Sequence, residues 1–348
     1  MASGPIVVQA STSQVGGAEA SLLASLDHSG LRPLFLLPGP GPLARELETR
    51  GWPFRIVPWP RGLEGLTQGH WLQLPLILPG LLRYLLELHR NLRGAGTVWS
   101  SGLKSHAACL LLSPWHRGRI RFDIRDFIRP APIRRLISLG TRLSRSQVMA
   151  NSRAVARDYP GARVEYPSVR LERPAADKRR PGGRKIITHL AYFAPYKGQD
   201  LFLTLARKLI DAGVDAEFWI IGDVIYPAPV YARYRDRVHA LVGELGLSGH
   251  VRFLGKVGAG EVQSLLEQAH LLLHCTREPE PFGRAVLEAL LCGCEAVCHR
   301  GSGVCEVTRA TVDFRGWMAP LGRILGEEYV RVSLLAPETM PPRDRVLS

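Results

Sequence analysis

Residues 185–223 read KIITHLAYFAPYKGQDLFLTLARKLIDAGVDAEFWIIGD, and this stretch decides the fold. An apolar run at 185–190 precedes a helical pattern from Asp200 to Ala212, and a second apolar run at 216–221 follows. Short apolar runs that alternate with amphipathic helices are typical of parallel strands joined by helices. The sequence therefore predicts an α/β domain here.

The same alternation extends in both directions along the chain. Further strands are predicted at 6–8, 34–37, 54–57, 97–99, 147–150, 251–254, 270–274 and 296–298. Further helices are predicted at 18–26, 43–50, 81–92, 133–144, 153–159, 230–245, 260–268 and 284–291. The pattern thus forms two α/β series, one on each side of a polar segment.

That polar segment, residues 170–183, contains prolines and glycines and is typical of a linker. We expect an N-terminal Rossmann-like domain at 1–169 and a C-terminal Rossmann-like domain at 184–320. The remaining residues, 321–348, are expected to form a C-terminal tail that can return to the N-terminal domain.

Composition and charge narrow the class of protein. Hydrophobic residues make up 46% of the 348 residues and charged residues 22%, which excludes a disordered or fibrous chain. The formal net charge is +14, and the first 170 residues carry 22 basic and 10 acidic side chains. Nine arginines lie between Arg117 and Arg145. This asymmetry favours an anionic partner such as a phosphate, nucleic acid or an acidic membrane surface.

The cysteines and the apolar segments predict neither a metal site nor a membrane span. Six cysteines in a chain of this length do not indicate a disulfide scaffold, and Cys292-Gly-Cys294 lacks the spacing of a zinc site. The first residues carry no basic, apolar leader, and no apolar stretch is long enough to span a bilayer. We expect a cytoplasmic protein with no cofactor and no metal.

The sequence EPFGRAVLE at Glu280–Glu288 is the sharpest chemical signal. Glu280 lies on a loop after the strand that ends near His274, and Phe282-Gly283 opens the helix that carries Glu288. Free N–H groups at a helix start favour an anion, and doubly wound sheets bind ligands at their carboxyl edge. We therefore expect an anionic ligand beside this loop.

This segment, continued to Gly293, is similar to the E-P-F-G-x-x-x-L-E-A-x-x-x-G motif of family 4 retaining glycosyltransferases. Other blocks resemble that family in the same order: Gly16–Glu19, Pro195–Asp200, Ile220–Asp223, Val251–Gly255 and Gly303–Glu306. The resemblance implies the GT-B fold, in which two Rossmann-like domains face each other across a cleft. It also implies that a nucleotide sugar binds mainly to the C-terminal domain and an acceptor to the N-terminal domain.

The resemblance assigns two catalytic residues. Glu280 would hold hydroxyls of the donor sugar, and Lys197 would neutralise the diphosphate that leaves. Negative charge develops on this leaving group, and fixed hydrogen-bond donors and a cation stabilise it without a metal.

The resemblance also assigns donor-binding residues. Glu288 would bind the ribose hydroxyls of the nucleotide. The backbone N–H groups of Phe282 and Gly283 would contact the sugar or phosphate, and the loop at Gly16 and Gly17 would approach the diphosphate from the N-terminal domain.

The chain departs from the family at positions that bear on this site. The family usually has an arginine five residues before the phosphate-binding lysine, where this chain has Tyr192. Arg284 is a candidate to supply part of that charge. Many relatives have a histidine near the position of Asp123. On the same segment, Arg125 and Asp126 are candidates for the acceptor side, although Asp126 also suits a structural partner of Arg125.

These observations favour a retaining glycosyltransferase that moves a sugar from a nucleotide sugar to an acceptor hydroxyl. The expected acceptor is a glycan, a lipid-linked intermediate or a small molecule, in surface polysaccharide or glycolipid assembly, with contact to an anionic membrane. One alternative is a hydrolase or epimerase of nucleotide sugars on the same fold, and another is a scaffold of weak activity. A third, a basic nucleic-acid-binding protein, is disfavoured because few aromatics interleave with the arginines, so we expect no nucleic acid partner.

Overall fold

A computed structural model describes residues 4–60, 74–144, 146–169, 171–176, 178–179 and 183–335. The chain divides into two compact units, Met1–Glu165 and Tyr166–Ser348. This division falls a few residues before the linker expected at 170–183. Within that segment Arg173 donates from both terminal guanidinium nitrogens to the buried Glu267, at 2.6 Å each. The described part of this segment therefore packs on the second unit.

The first unit is a parallel sheet of seven strands in the order β3-β2-β1-β4-β5-β6-β7. Its strands are β1 (Ile6–Val8), β2 (Leu34–Leu37), β3 (Phe54–Ile56), β4 (Thr97–Ser101), β5 (Arg119–Ile124), β6 (Gln147–Ala150) and β7 (Arg163–Val164). Its helices are α1 (Gly17–Ser29), α2 (Pro42–Thr49), α3 (Leu74–Leu92), α4 (Leu103–Leu112), α5 (Ala131–Leu143) and α6 (Arg153–Ala156).

The apolar run in β1 shows why this sheet is buried on both faces. Successive strand residues point to opposite faces, and Ile6 and Val8 pack in one apolar cluster while Val7 packs in another. All three side chains are buried. Helices therefore cover both faces of the sheet, as in doubly wound α/β folds.

The second unit repeats this plan and adds an antiparallel edge. The order is β10-β9-β8-β11-β12-β14-β13, and the first five of these strands are parallel. The strands are β8 (Lys185–Leu190), β9 (Ala216–Ile221), β10 (Val251–Gly255), β11 (Leu271–His274), β12 (Glu295–His299), β13 (Thr308–Thr311) and β14 (Tyr329–Leu334). The helices are α7 (Gln199–Asp211), α8 (Pro229–Glu244), α9 (Ala259–Gln268), α10 (Arg284–Leu291) and α11 (Ala319–Ile324).

Part of the expected C-terminal tail is instead a strand of the second sheet. β14 pairs antiparallel with both β12 and β13, so residues 329–334 are part of the sheet of the second unit. Residues 336–348 lie outside the described part of the chain. The structure also adds β5, β13 and α4, which the apolar pattern does not predict.

The basic run from Arg117 to Arg145 is divided between different environments. Arg121 and Arg125 lie in and after β5 and are paired with acidic side chains, whereas Arg135 and Arg142 are exposed on α5. Arg145 lies outside the described residues. Across the described ranges, no helix has the length and apolar character needed to cross a bilayer.

Candidate active site

The candidate site lies at the carboxyl edge of the second sheet, where the strand order reverses. From β8 the chain continues to β9 and β10 on one side, whereas β11 and β12 lie on the other. Lys197 follows β8, and Glu280 follows β11. Ligands of open α/β sheets bind at such a switch point, because the loops after the two strands diverge there and leave a crevice.

The turn after β8 brings Lys197 close to the segment after β11. A single 3-10 turn, Pro195–Lys197, leads into Gly198, whose φ is 73°. A Cβ atom on Gly198 would lie 3.0 Å from the carbonyl carbon of Cys275 and closer still to its oxygen. Only glycine combines this left-handed conformation with such a close approach. The Lys-Gly pair of the motif thus sets the position of the lysine.

Lys197 and Glu280, 83 residues apart in sequence, form an ion pair. The ammonium group contacts Oε1 of Glu280, and the two side chains are only 15% and 13% exposed. The second carboxylate oxygen, Oε2, lies 3.3 Å from Nε2 of His274. Burial alone would raise the pKa of Glu280, but Lys197 and His274 outweigh it and hold that pKa well below its usual range. Glu280 is therefore an anion held from two sides.

The loop that carries Glu280 is fixed by the segment after β12. The Glu280 N–H donates to Oγ of Ser302 at 3.0 Å, and the Gly303 N–H donates to the Glu280 carbonyl at 3.1 Å. The Val304 N–H donates to the carbonyl of Phe282 at 2.7 Å. These bonds join the Gly303–Glu306 block to the loop that carries Glu280.

The start of α10 places the remaining motif residues. Gly283 has a φ of 100°, and a Cβ added there would lie 3.8 Å from Oε2 of Glu280. Phe282 is buried in the core, so its backbone alone is available to a ligand. Arg284 donates to Glu288 at 3.1 Å, and its buried Nη1 has no hydrogen-bond partner among the described residues. This buried guanidinium nitrogen is a donor suited to an anion.

Tyrosines surround Lys197 on the side where the family usually has an arginine. The Lys197 ammonium lies 5.2 Å from the ring centroid of Tyr192 and 5.4 Å from that of Tyr196. The two hydroxyls contact each other, and Tyr226 packs edge-on against Tyr192 with centroids 5.4 Å apart. The position of Tyr192 therefore offers a hydroxyl and a ring face rather than a second cation.

The glycine loop of the first unit is tied to a buried glutamate. Gly16 precedes α1 and Gly17 is its first residue. The Gly16 N–H donates to Oε2 of Glu19 at 3.0 Å, and the Gln9 amide donates to Oε1 at 3.0 Å. Burial raises the pKa of Glu19. The donor-binding role of this loop stays a prediction.

The two acceptor-side candidates have different environments. Arg125 is buried and donates to Asp123 at 2.7 Å and to the Ser21 hydroxyl at 2.6 Å, so its charge is used within the first unit. Asp126 is exposed. Asp123 pairs with Arg125 in the described contacts, and the acceptor-side roles of Arg125 and Asp126 stay predictions.

Sequence reasoning treats His274 as an ordinary core histidine and does not single out His189. The structure shows both rings buried on the neighbouring strands β11 and β8, stacked with centroids 6.0 Å apart. A signal was available, because each histidine ends or nearly ends a strand that leads to a motif residue. Within the described ranges, no group of three or more His, Cys, Asp or Glu side chains is arranged to hold a metal ion.

Comparisons with known proteins find similar sequences and similar structures. Residues 172–322 match the family described as glycosyl transferases group 1. A curated relative, N-acetyl-alpha-D-glucosaminyl L-malate synthase of Bacillus anthracis, is 29% identical over 157 residues. The match covers 45% of this chain and 37% of the relative's length.

Solved structures show the same fold over most of the chain. One, Anabaena Alr3699/HepE in complex with UDP-glucose, has a TM-score of 0.71 at 20% identity, covering 92% of this chain and 88% of that one. Another, a glycosyltransferase from Rickettsia africae, has a TM-score of 0.69 at 15% identity, covering 92% and 86%. The resemblance to glycosyltransferases and the predicted GT-B fold class with two Rossmann-like domains are thereby confirmed.

Proposed function

We propose that this protein is a retaining glycosyltransferase that moves a hexose from a nucleoside diphosphate sugar to an acceptor hydroxyl, without a metal or cofactor. The observation that carries the proposal is the partly buried Lys197–Glu280 ion pair beside the start of α10. It combines a cation, a carboxylate and a helix start at one switch point, which suits a diphosphate joined to a sugar.

The chemistry follows from these groups. The bond between the anomeric carbon and the diphosphate oxygen breaks, and a bond to the acceptor oxygen forms on the same face of the sugar. The acceptor proton leaves with the diphosphate, so charge is conserved. Lys197, the backbone N–H groups at the start of α10 and the spare Nη1 of Arg284 would stabilise the leaving diphosphate. Glu280 would hold sugar hydroxyls, and Glu288 the ribose hydroxyls.

We propose uridine as the nucleoside of the donor. Support comes from the similarly folded Anabaena protein, whose structure is described as a complex with UDP-glucose, and from a relative whose name includes an N-acetylglucosaminyl group. The acceptor class, whether a glycan, a lipid-linked intermediate or a small molecule, is proposed from the basic first unit, whose charge suits an anionic acceptor.

Nucleotide binding tests the proposal. Thermal unfolding is measured with UDP, GDP and ADP, since a nucleotide at 1,000 times its Kd stabilises the fold by about 4.1 kcal/mol. Lys197→Ala should abolish most of the nucleotide-dependent shift. Lys208→Ala, which removes an exposed lysine on α7, is the matched control and should keep it. If none of the nucleotides raises the unfolding temperature of the unmodified protein, the proposal is wrong.

A hydrolase or epimerase of nucleotide sugars is the alternative on this fold. Product analysis separates it, because a hydrolase releases free sugar and an epimerase a changed nucleotide sugar without any acceptor. A transferase releases the nucleotide faster when acceptor is added and yields a glycosylated product.

We also propose that the first unit contacts an anionic membrane, at the inner face of the cytoplasmic membrane, through α5. Leu136, Leu139 and Leu143 are 63%, 55% and 76% exposed, and lie on one stripe of the helix. Arg135 and Arg142 are exposed beside that stripe. Exposed leucines flanked by arginines favour an interface that is apolar and negatively charged, and each basic side chain contributes about 1 kcal/mol near such a surface.

Sedimentation with vesicles tests this contact. The protein should bind vesicles that contain phosphatidylglycerol and not vesicles of phosphatidylcholine alone. Leu136→Ser with Leu143→Ser should weaken binding, whereas Val312→Ser, which changes a residue 62% exposed in the second unit, should not. Equal binding to charged and uncharged vesicles would contradict contact with an anionic membrane. Self-association of the protein that is abolished by the two leucine substitutions would also contradict it.

A further inference from the structure

Two buried histidines lie directly beneath the Lys197–Glu280 pair. His189 on β8 and His274 on β11 are 0% and 2% exposed, and their rings are stacked with an interplanar angle of 20°. His189 lies between Thr188 and Leu190 on β8, and His274 follows three leucines on β11. Because imidazole is costly to bury without polar partners, this pair needs an explanation that packing alone does not give.

The hydrogen bonds fix the state of His189. Its Nδ1 lies 3.0 Å from the carbonyl oxygen of Leu273, an acceptor, so Nδ1 carries the proton. Burial, with the neighbouring His274, lowers the pKa of His189 to about 3. His189 is therefore neutral, and its neutral ring stacks on His274.

His274 turns its Nε2 toward the site. That nitrogen lies 3.3 Å from Oε2 of Glu280, just beyond the usual hydrogen-bond distance of about 2.7–3.2 Å, and it has no hydrogen-bond partner among the described residues. A carboxylate only accepts, so a hydrogen bond between these two groups requires the proton to be on Nε2. Catalytic hydrogen bonds in a protein without its substrate are often long and tighten in the complex.

We propose that His274 is a positioning residue: when the donor sugar binds, its Nε2–H closes on the second oxygen of Glu280 while Lys197 holds the first, which orients the carboxylate toward the donor sugar. The inference rests on the proposed function. Held at both oxygens, Glu280 keeps a fixed plane and presents its remaining lone pairs to sugar hydroxyls. Without His274 the carboxylate rotates about its bond to Cγ, and the transition state loses a correctly oriented acceptor.

The groups around Glu280 distinguish this role from a general effect of charge. Lys197 faces it from the turn after β8, His274 from β11 and the Cys298 thiol from β12, with His189 behind His274. Only Lys197 and His274 contact the carboxylate in the described residues. Removing His274 thus leaves the Lys197 ion pair in place and changes one oxygen contact.

Two amide variants provide the test. The amide nitrogen of glutamine can occupy the place of Nε2, whereas that of asparagine, one bond shorter, falls near Nδ1. His274→Gln should keep most of the activity. His274→Asn should lower kcat by roughly 10- to 100-fold, the loss expected for one hydrogen bond to a charged group. The KM for UDP-sugar should change much less, because Lys197 and α10 still bind the diphosphate.

The pH profile gives a second readout. With one of its two partners gone, the pKa of Glu280 rises, so the acidic limb of kcat/KM should move to higher pH in His274→Asn and stay in place in His274→Gln. Unfolding temperatures of both variants are measured alongside, since a merely structural histidine would change stability without separating the two amides.

The outcomes separate this inference from the proposed function. Equal kcat and equal pH profiles for the two variants would overturn the positioning role while transferase activity of the unmodified protein stands. Absence of transferase activity and of nucleotide binding in the unmodified protein would instead overturn the proposed function. If His274→Asn does not fold, His274→Gln still decides, because a kcat reduced 10-fold or more in a folded protein contradicts rescue by a donor at Nε2.

Discussion

Replacing Gly198 with alanine should damage both the stability and the nucleotide site of the second unit. Gly198 has a φ of 73°, and its added Cβ would overlap the Cys275 carbonyl group. Gly213, which follows the other end of α7, is the matched control. Its φ is 82°, and nothing lies within 4 Å of an added Cβ.

The structure sets the size of the effect. The left-handed conformation costs a non-glycine residue about 1 kcal/mol, and this applies to both positions. At Gly198 the overlap adds about 2 kcal/mol, because the backbone of two neighbouring segments must move apart. For a unit of about 180 residues, each kcal/mol lowers the unfolding temperature by about 2–4 °C. We therefore expect a loss of about 2–4 °C for Gly213→Ala and about 6–12 °C for Gly198→Ala.

The assay is thermal unfolding of the full chain, with and without saturating UDP. Gly213→Ala should keep the UDP-induced rise, while Gly198→Ala should lose most of it, because Lys197 is displaced from Glu280. Equal losses of unfolding temperature in the two variants would refute the argument from close approach. An unchanged UDP response in Gly198→Ala would refute the link between this turn and the lysine.

Two further substitutions probe buried charges. Hydrogen bonds from Arg173 lower the pKa of Glu267 from 4.5 to about 2, so the charge of Glu267 stabilises the fold above pH 4.5 and stabilises it less as the pH falls toward 2. Glu267→Gln should therefore lower the unfolding temperature at pH 7 and hardly lower it at pH 2.5. A loss of unfolding temperature that does not depend on pH would contradict this. Arg125→Met should lower the free energy of unfolding in urea by about 3 kcal/mol, because it leaves the buried Asp123 without its closest cation. Arg135→Met, which changes an exposed arginine, is the control. An unchanged urea midpoint for Arg125→Met would contradict this structural role and favour a role of Arg125 in acceptor binding.

Parallel strands were predictable because burial on both faces makes them continuous apolar runs. β1 and β2 read as such runs, and both lie inside the first sheet. β5 reads RIRFDI and was missed, since its charges would normally exclude a buried strand. The structure accommodates two of these charges because Arg121 pairs with Glu165 and Asp123 pairs with Arg125. Sequence spacing does not reveal these ion pairs. β14 was missed for another reason: its partners are antiparallel strands whose pairing is settled only by the tertiary structure.

The site was predictable in its residues but not in its contacts. The resemblance named Lys197 and Glu280, and the alternation of strands and helices placed both after strands. Which strands are neighbours decides whether the two side chains meet, and strand order depends on the packing of the whole sheet. The reversal between β8 and β11 brings the two loops to one switch point, and it also stacks His189 on His274 beneath them. His274 contacts His189 because that reversal makes β8 and β11 neighbours. Strand order is not visible in the sequence, so the sequence alone predicts an ordinary core histidine at position 274.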